Sequence, residues 1–287
     1  MTLPFYIVDV FAEQKYAGNQ LAVFSDAQSL STEQMQQIAR ETNFAESTFI
    51  TALNLDTGTA SVRIFTPDQE MKFAGHPIIG TSWILTHKIF QKNFDAITLE
   101  VPVGAIPVQQ KGDLVWLQAA QPSFLNTFSA TDFENFSNLN VADFDTNFDI
   151  QEVTTGSAFV IIPLKSAEAL QRLQLDKQKA QEWLAINCGT AHRAFYFFTL
   201  EGNKLESRML CIEDNQLKED AATGSASTCL QAFLLKYYQQ EIQITNHQGD
   251  YMNRPSRIYF DGKKEAEHFE IKIGGKTQYV AKGEWEV

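Results

Sequence analysis

The chain has 287 residues, 44% of them apolar with 22 phenylalanines, and a formal net charge of −12 at pH 7. That is ample core for one large or two compact domains, and it excludes a disordered chain. Phosphate binding needs a basic surface, so the acidic balance argues against a nucleic-acid or anionic-membrane partner, and no run of about 18 apolar residues is present to span a bilayer.

The opening residues, Met1-Thr2-Leu3-Pro4-Phe5-Tyr6-Ile7-Val8-Asp9, lack a basic segment and meet a carboxylate early. They read as a first strand rather than a signal peptide. Strands are expected over 5–11 and 20–24, joined by a turn through Ala17-Gly18-Asn19. Ser31-Thr32-Glu33-Gln34 is a capping box that opens a helix with Met35, Ile38 and Ala39 on one face. That helix should end near 41–43, with a strand resuming at Ser47, so Glu46 falls at a helix-to-strand junction. Further strands are expected over 60–66, 97–101, 105–110 and 114–118, and Pro77 suits the first position of an intervening helix.

Residues 121–150, rich in Asn, Asp, Ser and Phe, break the strand pattern and read as an interdomain connection with some short helix. The theme then repeats: strands over 156–162, 194–200 and 206–212, helices over 167–173 and 177–186, a helix after Gly224, and three or four closing strands from 241 to 287. Strands outnumber helices and connections are short, which points to α+β with largely antiparallel sheets. No G-x-G-x-x-G opens a helix and no P-loop occurs, so nucleotide-binding folds lose support.

Cys188, Cys211 and Cys229 are odd in number and have no C-x-x-C spacing. They argue against disulfides or a zinc site and for a reducing, cytoplasmic setting, as buried small apolar residues. The histidines at 76, 87, 192, 247 and 268 show no metal spacing, so neither metal nor cofactor is expected.

Two motifs dominate: Phe73-Ala74-Gly75-His76-Pro77 and Glu219-Asp220-Ala221-Ala222-Thr223-Gly224-Ser225-Ala226. Each puts a glycine and a polar side chain just before an apolar, helix-like run. Glycine lets backbone approach a ligand closely, and a helix N-terminus offers unpaired N–H donors with partial positive charge. Gly75 and Gly224 stand 149 positions apart, about half the chain, which suggests a duplicated unit whose two helix starts face one anionic ligand. Glu46 sits among apolar and small residues, where burial suits a carboxyl to both take and give a proton. Structural alternatives stay open for each: Glu46 as a surface residue at a strand start, His76 as a helix cap, Asp220 as an N-cap.

Together with Asp9-Val10-Phe11, Gly18-Asn19-Gln20-Leu21-Ala22-Val23-Phe24, Glu46-Ser47-Thr48-Phe49, Arg63-Ile64-Phe65-Thr66-Pro67 and Arg254-Pro255-Ser256, these motifs occur in an order that resembles the PhzF family. The resemblance implies the diaminopimelate-epimerase-like fold: two similar α+β domains, each an antiparallel barrel-like sheet around a central helix. The first would span 1–120 plus about 277–287, carrying Glu46 and His76. The second, 121–276, would carry Asp220 and Gly224. The resemblance also implies Glu46 as general acid/base, His76 and Asp220 binding substrate and tuning protonation, and Asn19, Ser47, Gly75, Gly224 and Ser225 as substrate contacts. A homodimer is expected at family level.

Epimerases of this fold use a cysteine in each half, but aligned on the glycines this chain has Ala74 and Ala221 there, so a two-thiol racemisation is disfavoured. Ala45 stands where the phenazine enzyme has serine. Arg208-Met209-Leu210 replaces a more usual Arg-x-Phe run, and Ala222 stands where many relatives have proline. These departures leave the substrate open. The expectation is a cofactor-independent isomerase that moves a proton within a small carboxylated metabolite. One alternative is an amino- or hydroxy-acid epimerase, disfavoured because stereoinversion calls for a base on each face and only Glu46 is an obvious one. The other is a non-catalytic binding protein, against which the joint presence of Glu46, His76 and Asp220 weighs.

Overall fold

The computed structural model describes residues 1–90, 94–188, 194–213 and 215–287, and His192 lies outside them. Strands β1 (Thr2–Val10) and β2 (Asn19–Phe24) pair antiparallel with Val10 opposite Asn19. The chain between them turns back at Gly18, where φ is 67° and a Cβ would sit 2.3 Å from the Val10 carbonyl oxygen. Only glycine fits, and that fit delivers Asn19 to the first position of β2. Helix α1 (Thr32–Thr42) opens on the capping box read from sequence: Ser31 Oγ accepts from the Gln34 N–H, and Gln34 Oε1 accepts from the Ser31 N–H. Asn43, in the left-handed region, ends it.

Then follow β3 (Glu46–Asn54), β4 (Thr59–Phe65), the short β5 (Glu70–Met71), helix α2 (Gly75–Ile84), β6 (Ala96–Val101), β7 (Gly104–Lys111) and β8 (Leu114–Gln118). The second half comprises β9 (Ser123–Phe128), α3 (Ala130–Glu134), β10 (Ile150–Thr154), β11 (Ala158–Leu164), α4 (Ala167–Arg172), α5 (Lys177–Asn187), β12 (Ala194–Glu201), β13 (Lys204–Glu213), β14 (Gln216–Asp220) and α6 (Gly224–Tyr237). Four strands close the chain: β15 (Glu241–Gln248), β16 (Ser256–Glu265), β17 (His268–Gly275) and β18 (Thr277–Glu286). Helix α2 begins two residues before Pro77, which therefore sits inside its first turn.

The chain forms two compact units, Met1–Gln118 with Gly274–Val287, and Ala119–Ile273. In the first, the strand order is β18-β1-β2-β3-β4-β6-β7-β8, with neighbours antiparallel except β2/β3 and β4/β6. In the second it is β9-β10-β11-β12-β13-β15-β16, antiparallel except β11/β12 and β13/β15. Order and parallel steps coincide, as a duplicated α+β unit requires.

The duplication reaches individual side chains. Arg63 on β4 holds Glu70 on β5 through two bonds of 2.7 and 2.6 Å, and Arg208 on β13 holds Glu219 on β14 through two of 2.9 and 2.7 Å. Each glutamate stands five residues before the helix glycine. Such paired, charge-assisted bonds fix the chain entering the helix.

Each sheet curls around one helix. Helix α2 packs on β1, β2, β3, β6, β8 and β18, and α6 on β10, β11, β15 and β16. Both are apolar or small on nearly every side, as a helix surrounded by protein must be. Small residues permit the approach: a Cβ on Gly80 would meet Leu21 and Val10 side chains at 2.6 and 2.7 Å. Outer helices cover the other sheet face. Helix α1 packs Met35, Ile38 and Ala39 onto Phe24, Phe49 and Phe65, while α3, α4 and α5 cover Phe195, Phe197 and Leu210. Strand β12 is therefore buried on both faces, and its Ala-Phe-Tyr-Phe-Phe run follows.

The 121–150 stretch corrects the reading of a connecting segment. It contains β9 and α3, and its Phe133, Phe136, Leu139 and Phe144 are core of the second unit. Its Asn, Asp and Ser residues separate short elements, so no long periodic run announced them.

Candidate active site

In the first unit, β2 and β3 run parallel, so their starts share one edge of the sheet, with Leu21 beside Glu46. Along β3, Glu46 and Thr48 point to the α2 side, and Thr48 Oγ1 lies 2.8 Å from Thr81 Oγ1 on that helix. Ser47 and Phe49 point to the α1 side. Ser47 is fully buried with its Oγ 2.9 Å from Thr42 Oγ1, so its hydroxyl does not face the Glu46 side of β3. Asn19 starts β2, and His76 is the second residue of α2.

These elements bring three candidates together. His76 Nδ1 lies 3.4 Å from Glu46 Oε2 and 3.5 Å from Asn19 Nδ2. The Glu46 side chain keeps 17% exposure and that of His76 4%. Burial pushes the His76 pKa down to about 3, with the Gln20 backbone pulling the other way. The ring is therefore neutral, and its 3.4 Å contact with Glu46 is not an ion pair. Among the described residues, His76 Nε2 is buried with no hydrogen-bond partner. Glu46 is thus no outer-surface glutamate, and no side-chain bond caps α2, whose N-cap is Ala74.

In the second unit, Asp220 ends β14, opposite Met209 on β13. It is not the N-cap of α6. That position is Thr223, whose hydroxyl donates to Asp220 Oδ2 at 2.6 Å. No side-chain bond caps α6 either, Gly224 is buried and Ser225 half-buried. The repeat sets Thr223-Gly224-Ser225 against Ala74-Gly75-His76, so the counterpart of Ala74 is Thr223 rather than Ala221. Neither offers a thiol. Arg208, in one of the departures noted from sequence, also donates to the Leu170 and Leu173 carbonyls at the end of α4, a structural role.

Sequence reasoning missed Gln248, at the end of β15. Its Oε1 accepts from the Thr223 N–H at 3.1 Å, and its Nε2 donates to the Asp220 carbonyl at 2.9 Å and to Thr223 Oγ1 at 3.0 Å. Nothing near it in sequence marks it; only strand pairing brings it to the turn. The three cysteines are buried thiols, none of them in a disulfide. Among the described residues no group of three or more His, Cys, Asp or Glu could hold a metal ion, and no helix is long and apolar enough to cross a membrane.

Comparison with known proteins matches this architecture. The profile of the PhzC-PhzF family, described as phenazine biosynthesis-like protein, matches residues 8–283. The chain belongs to that family. A trans-2,3-dihydro-3-hydroxyanthranilate isomerase of Pseudomonas aeruginosa is 33% identical over 289 residues, 97% of this chain and 98% of that protein. A solved structure described as a predicted epimerase of P. aeruginosa superposes with a TM-score of 0.82 at 30% identity, covering 99% of both chains. A PhzF-family phenazine biosynthesis protein of Bacillus anthracis has the same fold, with a TM-score of 0.88 at 24% identity over the whole of both chains. The chain is an isomerase of the PhzF type, with the α+β fold of two similar units that the sequence implied.

Proposed function

We propose that the chain catalyses a cofactor-independent proton transfer within a small carboxylated metabolite, with Glu46 as general acid/base. The observation that carries this reading is the Glu46–His76 contact: a partly exposed carboxyl against a buried imidazole held neutral. A neutral ring can donate from Nδ1 to the carboxylate. Once Glu46 has taken a proton on Oε1, its Oε2 can still accept from that same Nδ1–H, so the ring keeps one tautomer. The base is thus supported in both states without a charged imidazolium competing for the proton. Glu46 would abstract an acidic C–H proton and return it to another carbon of the same allylic system. A positioned acid/base of this kind contributes about 10²–10⁴ in rate.

The uncapped N-terminus of α2, with Gly75 leaving its backbone open and Asn19 beside it, suits a substrate carboxylate. Asp220, Gly224 and Ser225 supply further substrate contacts in this reading. One base favours transposition over stereoinversion, and β12 of the second unit opens Ala194-Phe195-Tyr196 with no carboxylate to serve as a second. A substrate like that of the Pseudomonas aeruginosa isomerase is the first to try.

The test is solvent-deuterium wash-in with trans-2,3-dihydro-3-hydroxyanthranilate and a panel of amino and hydroxy acids. Exchange with double-bond transposition supports the isomerase, exchange with inversion marks an epimerase, and no exchange across the panel removes the catalytic reading.

A further inference from the structure

The turn from Asp220 to Gly224 is held by a buried polar chain centred on one amide. Gln248 is 1% exposed and all its hydrogen-bonding capacity points at neighbours of known direction. Its Oε1 accepts from the Thr223 N–H at 3.1 Å and from the Tyr196 hydroxyl at 2.8 Å. Its Nε2 donates to the Asp220 carbonyl and to Thr223 Oγ1. Tyr196, fully buried, is itself fixed by donation from Ser207 Oγ at 3.0 Å and Asn246 Nδ2 at 2.8 Å. A buried chain of this kind specifies one arrangement because each reversal leaves a polar group unpaired.

The amide also sets a proton's direction. Because Thr223 Oγ1 accepts from Gln248 Nε2, its own proton is directed to Asp220 Oδ2, 2.6 Å away. The next residue, Gly249, presses backbone against backbone: a Cβ there would lie 2.6 Å from the Ala221 carbonyl oxygen. The end of β15 therefore braces the turn through a side chain and through its backbone.

We propose that Gln248 is a positioning residue: it locks the 220–224 turn and, through Thr223, aims the Asp220 carboxylate. The proposal rests on the reading of Asp220 as a substrate contact. Gln248 touches no substrate; it acts on the orientation of Asp220 and of the first N–H groups of α6.

Two substitutions in the full chain test it. Gln248→Leu removes every bond, whereas Gln248→Glu keeps the size and an acceptor for the Thr223 N–H but loses both donors. Amide hydrogen exchange of folded Gln248→Leu should quicken at Thr223 by about tenfold, the weight of one lost hydrogen bond, with β10–β13 unchanged. In Gln248→Glu that amide should stay protected. With trans-2,3-dihydro-3-hydroxyanthranilate, Gln248→Glu should lower kcat by about 100-fold, as misplaced groups do. It should add little further loss to Asp220→Asn, since both act through one carboxylate. Unchanged Thr223 exchange in Gln248→Leu, or losses that simply multiply with Asp220→Asn, would overturn the proposal. If Gln248→Leu does not fold, the two Gln248→Glu outcomes decide it. Failure of the unaltered chain to process that compound counts against the substrate reading alone, and amide exchange then decides the clamp.

Discussion

His76 Nδ1 stands 3.4 Å from Glu46 Oε2, a neutral buried ring against a partly exposed carboxyl. The pairing follows from topology: parallel β2 and β3 put Asn19 and Glu46 on one edge, and α2 begins above it with His76 in its first turn.

Glu46→Gln keeps shape and hydrogen-bonding reach but cannot cycle a proton. Solvent-deuterium exchange into substrate should fall by ~10²-fold or more, while stability stays within about 1 kcal/mol of the parent. Retention of more than about a tenth of the exchange rate would remove Glu46 from the general-base role.

The buried neutral His76 makes stability depend on acid. Its pKa is about 3 in the folded chain against 6.5 in its absence. Between those values the unfolded chain binds a proton that the native chain refuses. Stability from this group is therefore complete above pH 6.5 and lost as pH falls towards 3, with a slope of about 1.4 kcal/mol per pH unit. His76→Asn should show a shallower fall over that window in denaturant titrations at stepped pH. Equal slopes would mean that His76 is protonated in the native state.

Burial pushes the Cys188 thiol up to about 12, helped by the Glu152 carboxylate, and the Cys229 thiol to about 12 despite hydrogen bonds from Thr155 and Thr228. Thiolate is the reactive form. Iodoacetamide at pH 8 should leave both unlabelled in the native protein and alkylate them in denaturant, read by mass spectrometry. Rapid native labelling of Cys229 would contradict its place inside α6.

Phe133 is wholly buried and packs against Phe136, Phe144, Trp183 and Phe195. Phe133→Ala should cost about 3–5 kcal/mol in equilibrium unfolding. A connecting segment would tolerate the change almost freely, so a loss below about 1 kcal/mol would restore that role to residues 121–150.

Local chemistry was legible in the sequence wherever neighbours in the chain decide the structure. The Ser31–Gln34 capping box, the Gly18 turn and the two glycine-led helices all satisfy backbone donors or φ requirements within a few residues. Ordered motifs, read as a family resemblance, carried the duplicated fold as well. What the sequence could not decide depends on strands meeting. The side-chain period of two put Glu46 toward α2 and turned Ser47 to Thr42. The end of β15 brought Gln248 to Thr223, 25 residues away. Scattered aromatics at 133, 136 and 144 became core only when α3 to α5 covered a sheet face. Burial, which sets the charge of His76, is likewise a property of the packed chain: the same imidazole in water would titrate near 6.5.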